Sequence, residues 1–435
     1  MTAPRHIRPL ADAFTAVYES PDPTQVFAYS PGIARHETGR GSRIVATMDL
    51  GGPGAGALAG NKMERGEMGW SWQGRVSTSD DGGRSWTHRA DFPFMHARPF
   101  TAGPAVYVLG HAGDLQIIRS DDDGETWSRP VALTQGQTWH QAPANVHYAN
   151  GCVYLVMERR TRKVTHGWPV RDFAPVLMRA RTDADLTNPE SWTFSTELGF
   201  YQALGDNNEA ELNYFGVPFY AADPVRGISV APGRECSAMG WLETNVVQIT
   251  DPQHLWHDST GRTFHLWMRA HTGGTGYACL AKATEQGDIP GTGSITVSLQ
   301  TAPSGRTLLY IPCPGGQMKF HILQDPETQL YWLLSTQATD SMIRPERMPA
   351  DRYNLLNNER QRLQLHFSRN MVDWCFAGLV CAGSTQKEAR HYASMCFDHN
   401  DLLVLSRSGD QRAMSAHNGN LITFHRVHNF RDLVY

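Results

Sequence analysis

Arginine, histidine and carboxylate side chains recur at the ends of strongly apolar runs in this chain of 435 residues. The clearest case is Phe264-His265-Leu266-Trp267-Met268-Arg269-Ala270-His271. It runs into Thr272-Gly273-Gly274-Thr275-Gly276, a glycine-rich stretch that lets a ligand approach the backbone. That stretch is no phosphate loop, since no Lys-Ser/Thr follows it. Similar clusters are Arg390-His391-Tyr392, Trp139-His140-Gln141, Gln317-Met318-Lys319, and Glu243 with Asn245. Arginine forks grip carboxylates, and His, Asp or Glu exchange protons near neutral pH. Such groups suit a cleft for an anionic, hydroxyl-rich ligand, held by cations beside an acid/base pair.

The elements that would bring them together are strands. A pattern of strand, short Gly/Asn/Asp turn and strongly apolar strand recurs six times, beginning near Ser30, Arg98, Asn145, Asn245, Met318 and Tyr392, and each copy is followed by a further hairpin. Within the first two, Ser79-Asp80-Asp81-Gly82-Gly83-Arg84-Ser85-Trp86 and Ser120-Asp121-Asp122-Asp123-Gly124-Glu125-Thr126-Trp127 share the form Ser-x-Asp-x-Gly-x-x-Trp, 41 residues apart. That spacing is one four-stranded blade. The sequence therefore predicts an all-β, six-bladed propeller, a single domain over residues 1–435, with insertions at about 196–240 and 337–360. The strand around Ala16-Val17-Tyr18 is expected to close the last blade and remove a sheet edge.

In a propeller the innermost strand of each blade starts on the face where the second strand ends, so residues at those two places converge on the axis. The converging set is Asp49 in blade 1; His96, Arg98, His111 and Asp114 in blade 2; His140, Gln141, Glu158 and Arg159 in blade 3; Glu243, Asn245, Arg269 and His271 in blade 4; Gln317, Lys319 and Gln337 in blade 5; and Arg390, His391, Tyr392, Arg407 and Asp410 in blade 6. Arg35, His36 and His321 fall toward the far end of their strands. Asp49, Glu243, Tyr392, His96, His140 and His271 are the catalytic candidates, and the remainder are expected to bind substrate.

The repeated Ser-x-Asp-x-Gly-x-x-Trp pattern resembles the Asp-box of the sialidase (neuraminidase) superfamily. The resemblance implies a turn between the third and fourth strands, on the face away from the active site. It also implies an acid/base Asp at Asp49, a Tyr-activating Glu at Glu243, a late arginine at Arg390 and a tyrosine nucleophile at Tyr392. The early arginine motif of that family is absent, since Ala28-Tyr29-Ser30-Pro31-Gly32-Ile33 stands in its place. The His, Arg and Tyr set also looks like that of propeller-fold polysaccharide lyases, in which Arg neutralises a uronate carboxylate while His or Tyr removes the C5 proton. An exo-acting glycoside hydrolase on anionic, uronate- or sialate-like oligosaccharides is the first reading, a uronate lyase the second, and a non-catalytic carbohydrate-binding propeller the third.

Composition narrows the partners. A formal net charge of −4 without any Lys/Arg run argues against nucleic acid or an anionic membrane. Twelve Trp supply flat apolar faces on which sugars stack. Seven Cys without C-x-x-C spacing read as buried free thiols. Neither a signal-type apolar region nor a run of roughly 18 apolar residues is present, so a cytoplasmic location is expected. No cofactor and no metal are expected, with a central metal ion the lesser alternative.

Overall fold

A computed structural model of the chain describes residues 7–39, 41–204, 217–218, 226–352 and 355–435. Among them, six antiparallel sheets follow one another along the chain and surround a common axis, with three two-stranded pairs in the loops. Blade 1 runs, from the axis outward, Phe27–Thr38, Gly41–Gly51, Gln73–Ser79 and Thr87–Phe92. Blade 2 is Met95–Ala102, Ala105–Ala112, Asp114–Ser120 and Val131–Ala132. In blade 3 the inner strand is split into Trp139–His140 and His147–Ala149, both paired with Cys152–Arg160, and Phe173–Arg181 and Trp192–Phe194 complete it. Blade 4 is Gly240–Val247, Thr263–His271, Tyr277–Glu285 and Ile295–Ser298. Blade 5 is His321–Gln324, Tyr331–Thr336, Arg362–Ser368 and Cys375–Ala382.

Blade 6 closes the ring. Arg390–Asp398, Asp401–Ser408 and Leu421–Val427 come from the end of the chain, and the outermost strand, Thr15–Glu19, comes from its beginning. Thr15 pairs with Phe424 and Glu19 with Leu421, so the edge strand of the last blade is covered by backbone hydrogen bonds. Within the 196–240 insertion, residues 205–216 and 219–225 lie outside the described residues, whereas most of 337–360 is described and ends at the axis.

The second strand of each blade is apolar on both faces because each face meets a different neighbour. In blade 2, Val106 and Val108 pack with Val45 and Val76 of blade 1. The alternate residues Tyr107 and Leu109 pack with Leu155 and Met157 of blade 3. Equivalent layers join blades 3 and 4, 4 and 5, 5 and 6, and 6 and 1. Two-sided burial is what turns the usual alternation into a continuous apolar run.

The two Ser-x-Asp-x-Gly-x-x-Trp turns join third to fourth strands. In the first, Asp81 Oδ1 accepts from the backbone N–H of Arg84 and Ser85, both at 2.9 Å, and Trp86 Nε1 donates to Gly83 O. Gly83 has φ +93°, and a Cβ there would lie 2.1 Å from the Phe424 ring of blade 6, so no other residue fits. Ser79 pairs with Ile44, near the start of the second strand, which puts the turn on the face opposite the second-strand ends.

Candidate active site

The inner strands of four blades carry the same irregularity at the same height. From Tyr29 to Gly32, Met95 to Arg98, Leu242 to Asn245 and His391 to Ser394, three steps along the inner strand oppose two along its partner. Each is a β-bulge with one extra residue, a device that re-aims a side chain. The first bulged residue has a positive φ in all four: Ser30 at 46°, His96 at 56°, Glu243 at 59° and Tyr392 at 51°. Left-handed backbone at a non-glycine costs about 1–3 kcal/mol and persists only where the surroundings enforce it.

Polar side chains of the preceding blades supply that enforcement at the His96, Glu243 and Tyr392 bulges. Both Asp49 carboxylate oxygens accept the His96 backbone N–H, at 3.0 and 2.9 Å. Glu158 Oε1 accepts the N–H and hydroxyl of Thr244, the residue after Glu243, at 3.0 and 2.6 Å. Gln141 Nε2 donates to Thr244 O at 3.0 Å. Lys319 Nζ donates to Ala393 O at 2.5 Å and Ser394 Oγ at 2.9 Å, just past Tyr392. Burial raises the Glu158 carboxyl to about 8 and lowers the Lys319 ammonium to about 7.

All four bulged residues line one cavity of about 300 Å³ at the axis. Arg269 is its hub. Its Nη1 donates to the Tyr392 hydroxyl at 2.6 Å and lies 3.3 Å from Glu243 Oε2, while its Nε donates to Gln317 O at 2.8 Å. Two further guanidinium groups close on the same phenol: Arg360 and Arg407 stand 5.6 and 5.2 Å from the Tyr392 ring centroid. Arg407 also lies 4.2 Å over the Tyr29 ring and donates to His417 O. Glu243 is the sole carboxylate of the described lining, so three arginines leave an excess of positive charge.

Histidines also line or back the cavity. His96 Nδ1 and His111 Nε2 are 2.8 Å apart, and the His96 and His140 rings are 4.6 Å apart between centroids. Burial, with the neighbouring rings and Arg269, holds His140 down to about 3; burial with Arg269 does the same to His271. His96 and His417 lie well below the ordinary imidazole value, for burial first and nearby histidine or arginine second. These imidazoles are neutral at neutral pH. Burial also pushes the Tyr392 phenol upward, against the pull of Arg269. Trp72 and Trp168 supply aromatic faces, and Met68, largely exposed, stands at the rim.

Of the residues singled out from sequence, His96, His140, Glu243, Arg269, His271, Tyr392 and Arg407 line the cavity. The others lie elsewhere. Asp49, Glu158, Gln141 and Lys319 are behind it, on the bulges. His111 backs His96, and His391 Nδ1 lies 3.0 Å from Arg360 Nη1. Asn245 staples blade 4 to blade 5 through Phe320 O and Ile322 N. Arg390 donates to Ala389 O and Gly409 O, each at 2.8 Å, and lies over Phe14. Arg159 is paired with Glu197 outside the cavity, Gln317 contributes its carbonyl, and Gln337 bonds Arg362 O through its backbone. Arg98 belongs to the lining of a different hollow on the axis. Tyr29, Ser30, Trp72, Trp168, Arg360 and His417 line the cavity without having been picked out as chemical groups; Arg360 ends the predicted insertion, and Tyr29-Ser30 occupies the place of the absent arginine motif. Among the described residues, no three His, Cys, Asp or Glu side chains are grouped so as to hold a metal ion, and no helix is long and apolar enough to cross a membrane.

Neither a family model nor a curated protein matches this sequence. Solved structures do. A mutant Trypanosoma rangeli sialidase displaying trans-sialidase activity superposes at a TM-score of 0.52 with 11% identity, over 99% of this chain and 61% of that one. The same enzyme bound to the inhibitor DANA gives 0.52 at 12% identity. A Dyadobacter fermentans protein of unknown function gives 0.52 at 11% identity, over 97% of this chain and 99% of that one. The fold is a sialidase-like six-bladed β-propeller. The chain spans about 60% of the sialidase's length, and at these identities the likeness concerns architecture.

Proposed function

We propose that the axial cavity is the active site of a carbohydrate-active enzyme that cleaves short oligosaccharides at an acidic, uronate- or sialate-like sugar, by hydrolysis from the chain end. The observation that carries this reading is the convergence of Arg269, Arg360 and Arg407 on the Tyr392 phenol, with Glu243 joined through Arg269. Guanidinium forks in a dry cavity bind a sugar carboxylate strongly. Binding there sets the anomeric carbon beside the phenol oxygen, where Tyr392 acts as the nucleophile and Arg269 favours its ionised form. Glu243 accepts the phenolic proton directly or through a water as the phenol oxygen bonds to the anomeric carbon and the glycosidic C–O bond breaks; the departing oxygen takes a proton from water, a second water then hydrolyses the tyrosyl–sugar bond with return of the phenol, and Trp72 and Trp168 give the ring apolar faces.

A second reading, elimination, has its own support. Asp49, the sequence's candidate for the general acid, has both oxygens on the His96 amide and does not line the cavity. The neutral histidines facing the site cannot serve as imidazolium acids at neutral pH and present unprotonated ring nitrogens to a bound sugar. In elimination His140 or His96 takes the C5 proton while the arginines stabilise the carboxylate-conjugated anion, and Tyr392 protonates the leaving oxygen.

Product analysis separates the two. Hydrolysis consumes water and leaves saturated sugars, and an activated fluorosugar acid should add its mass to the Tyr392 peptide. An ultraviolet-absorbing 4,5-unsaturated product would replace hydrolysis by elimination. Absence of turnover across acidic and neutral glycans alike would favour a binding module.

A further inference from the structure

Below the bulges, inner-strand segments of the six blades line a second hollow, an axial channel of about 530 Å³ leading to the opposite face. Much of its wall is apolar, including Pro99, Phe100, Val247 and Met395, and its described lining holds no Asp or Glu. Arg98 belongs to that lining. It is 1% exposed, and Nε, Nη1 and Nη2 all lack a hydrogen-bond partner among the described residues. Burial pulls it down to about 10, so it remains a cation at neutral pH. The charge nearest to offsetting it is Glu158, whose carboxyl is raised to about 8 and whose Oε1 is already bonded to Thr244. Lys319, depressed first by burial and also by Arg98, is no counter-charge in either protonation state.

His321 shares the channel. Its Nδ1 accepts the Met395 N–H at 3.3 Å, and burial with Lys319 and Arg98 keeps the ring neutral, so the remaining proton sits on Nε2 as a donor. A guanidinium taken out of water without a partner is strongly destabilising, and neither the protonated Glu158 nor an apolar wall removes that.

We propose that the inner end of this channel binds a small monoanion, a halide or a small carboxylate, held by the Arg98 guanidinium and the His321 Nε2–H. The channel is reached from the face opposite the sugar-binding cavity, so the anion is distinct from the substrate. One cation matches one negative charge, the fork matches a carboxylate edge, and the apolar wall accepts a short alkyl group.

Crystals soaked in sodium bromide test the halide arm, and crystals soaked in sodium acetate with no halide present test the carboxylate arm. An anomalous bromide peak, or acetate density, within hydrogen-bonding distance of Arg98 and His321 is the expected result, and either one identifies the source. Chloride line broadening in solution should fall at least about tenfold in Arg98→Met relative to the unaltered protein. Should that variant fail to fold, the bromide and acetate maps decide alone. Bromide confined to the outer surface together with an acetate-free channel would overturn the proposal. So would an ionised Glu158 acting as the counter-charge, seen as bromide binding at Arg98 only in Glu158→Gln.

Discussion

Tyr392 is held by one arginine at hydrogen-bond distance and faced by two more, an expensive arrangement unless an anion completes it. Tyr392→Phe should therefore lower kcat by roughly 10²–10⁴-fold while leaving thermal stability nearly unchanged, since the ring still fills its place. Arg360→Ala or Arg407→Ala should each cost about 2–5 kcal/mol in kcat/KM. Steady-state kinetics beside a melting curve checks both, and wild-type turnover in Tyr392→Phe would remove the phenol from the chemistry. The histidine wall makes a pH prediction. His96, His111 and His140 are lowered in the folded state, so at neutral pH they are neutral folded and unfolded alike. As pH falls below about 6.5 only the unfolded chain takes up the three protons, until the folded values are reached, near 3 for His111 and His140 and well below the ordinary imidazole value for His96. Stability should fall with acid by about 4 kcal/mol per pH unit in the middle of that window, from these three groups. Urea unfolding at pH 7 and pH 5 measures it, and equal midpoints would contradict neutral burial.

At the scale of the strand, the four bulges decide which side chains meet. Asp49 acts in this account through His96, as a positioning residue. Asp49→Ala should leave a buried amide without its acceptor, at about 1–3 kcal/mol of stability, and should also reduce kcat. Asp49→Asn keeps an amide oxygen for that N–H and should retain most activity, whereas a general acid at this position would be lost equally in both variants. The same bulges explain what the sequence could show. Six blades, the closing strand and the level at which second strands end were legible in apolar runs and turn residues, which is how Arg269, His271 and Arg407 were found. A bulge leaves no such trace, because one added residue inside an inner strand looks like ordinary alternation yet turns the following side chains to a new level. Hence His96 and Arg98, two residues apart, face different hollows. Arg360 and His417 belong to loops, whose path no periodicity records.

Across the whole molecule, the ring is held by six apolar layers between blades and by one strand from the other end of the chain. Removing residues 7–19 should expose the Leu421–Val427 edge and break the cooperative transition. A single sharp unfolding transition with undiminished stability in the truncated protein would mean that closure does not depend on Thr15–Glu19. The central claim concerns charge at the axis, where Arg269, Arg360 and Arg407 face one carboxylate. The most direct measurement is turnover of uronate- and sialate-terminated oligosaccharides beside the same compounds with the carboxyl group reduced to an alcohol. The account predicts cleavage of the acidic compounds and loss of at least about 100-fold in kcat/KM on reduction, the effect of removing a desolvated charge pair. Equal turnover of the acidic and reduced compounds would contradict it.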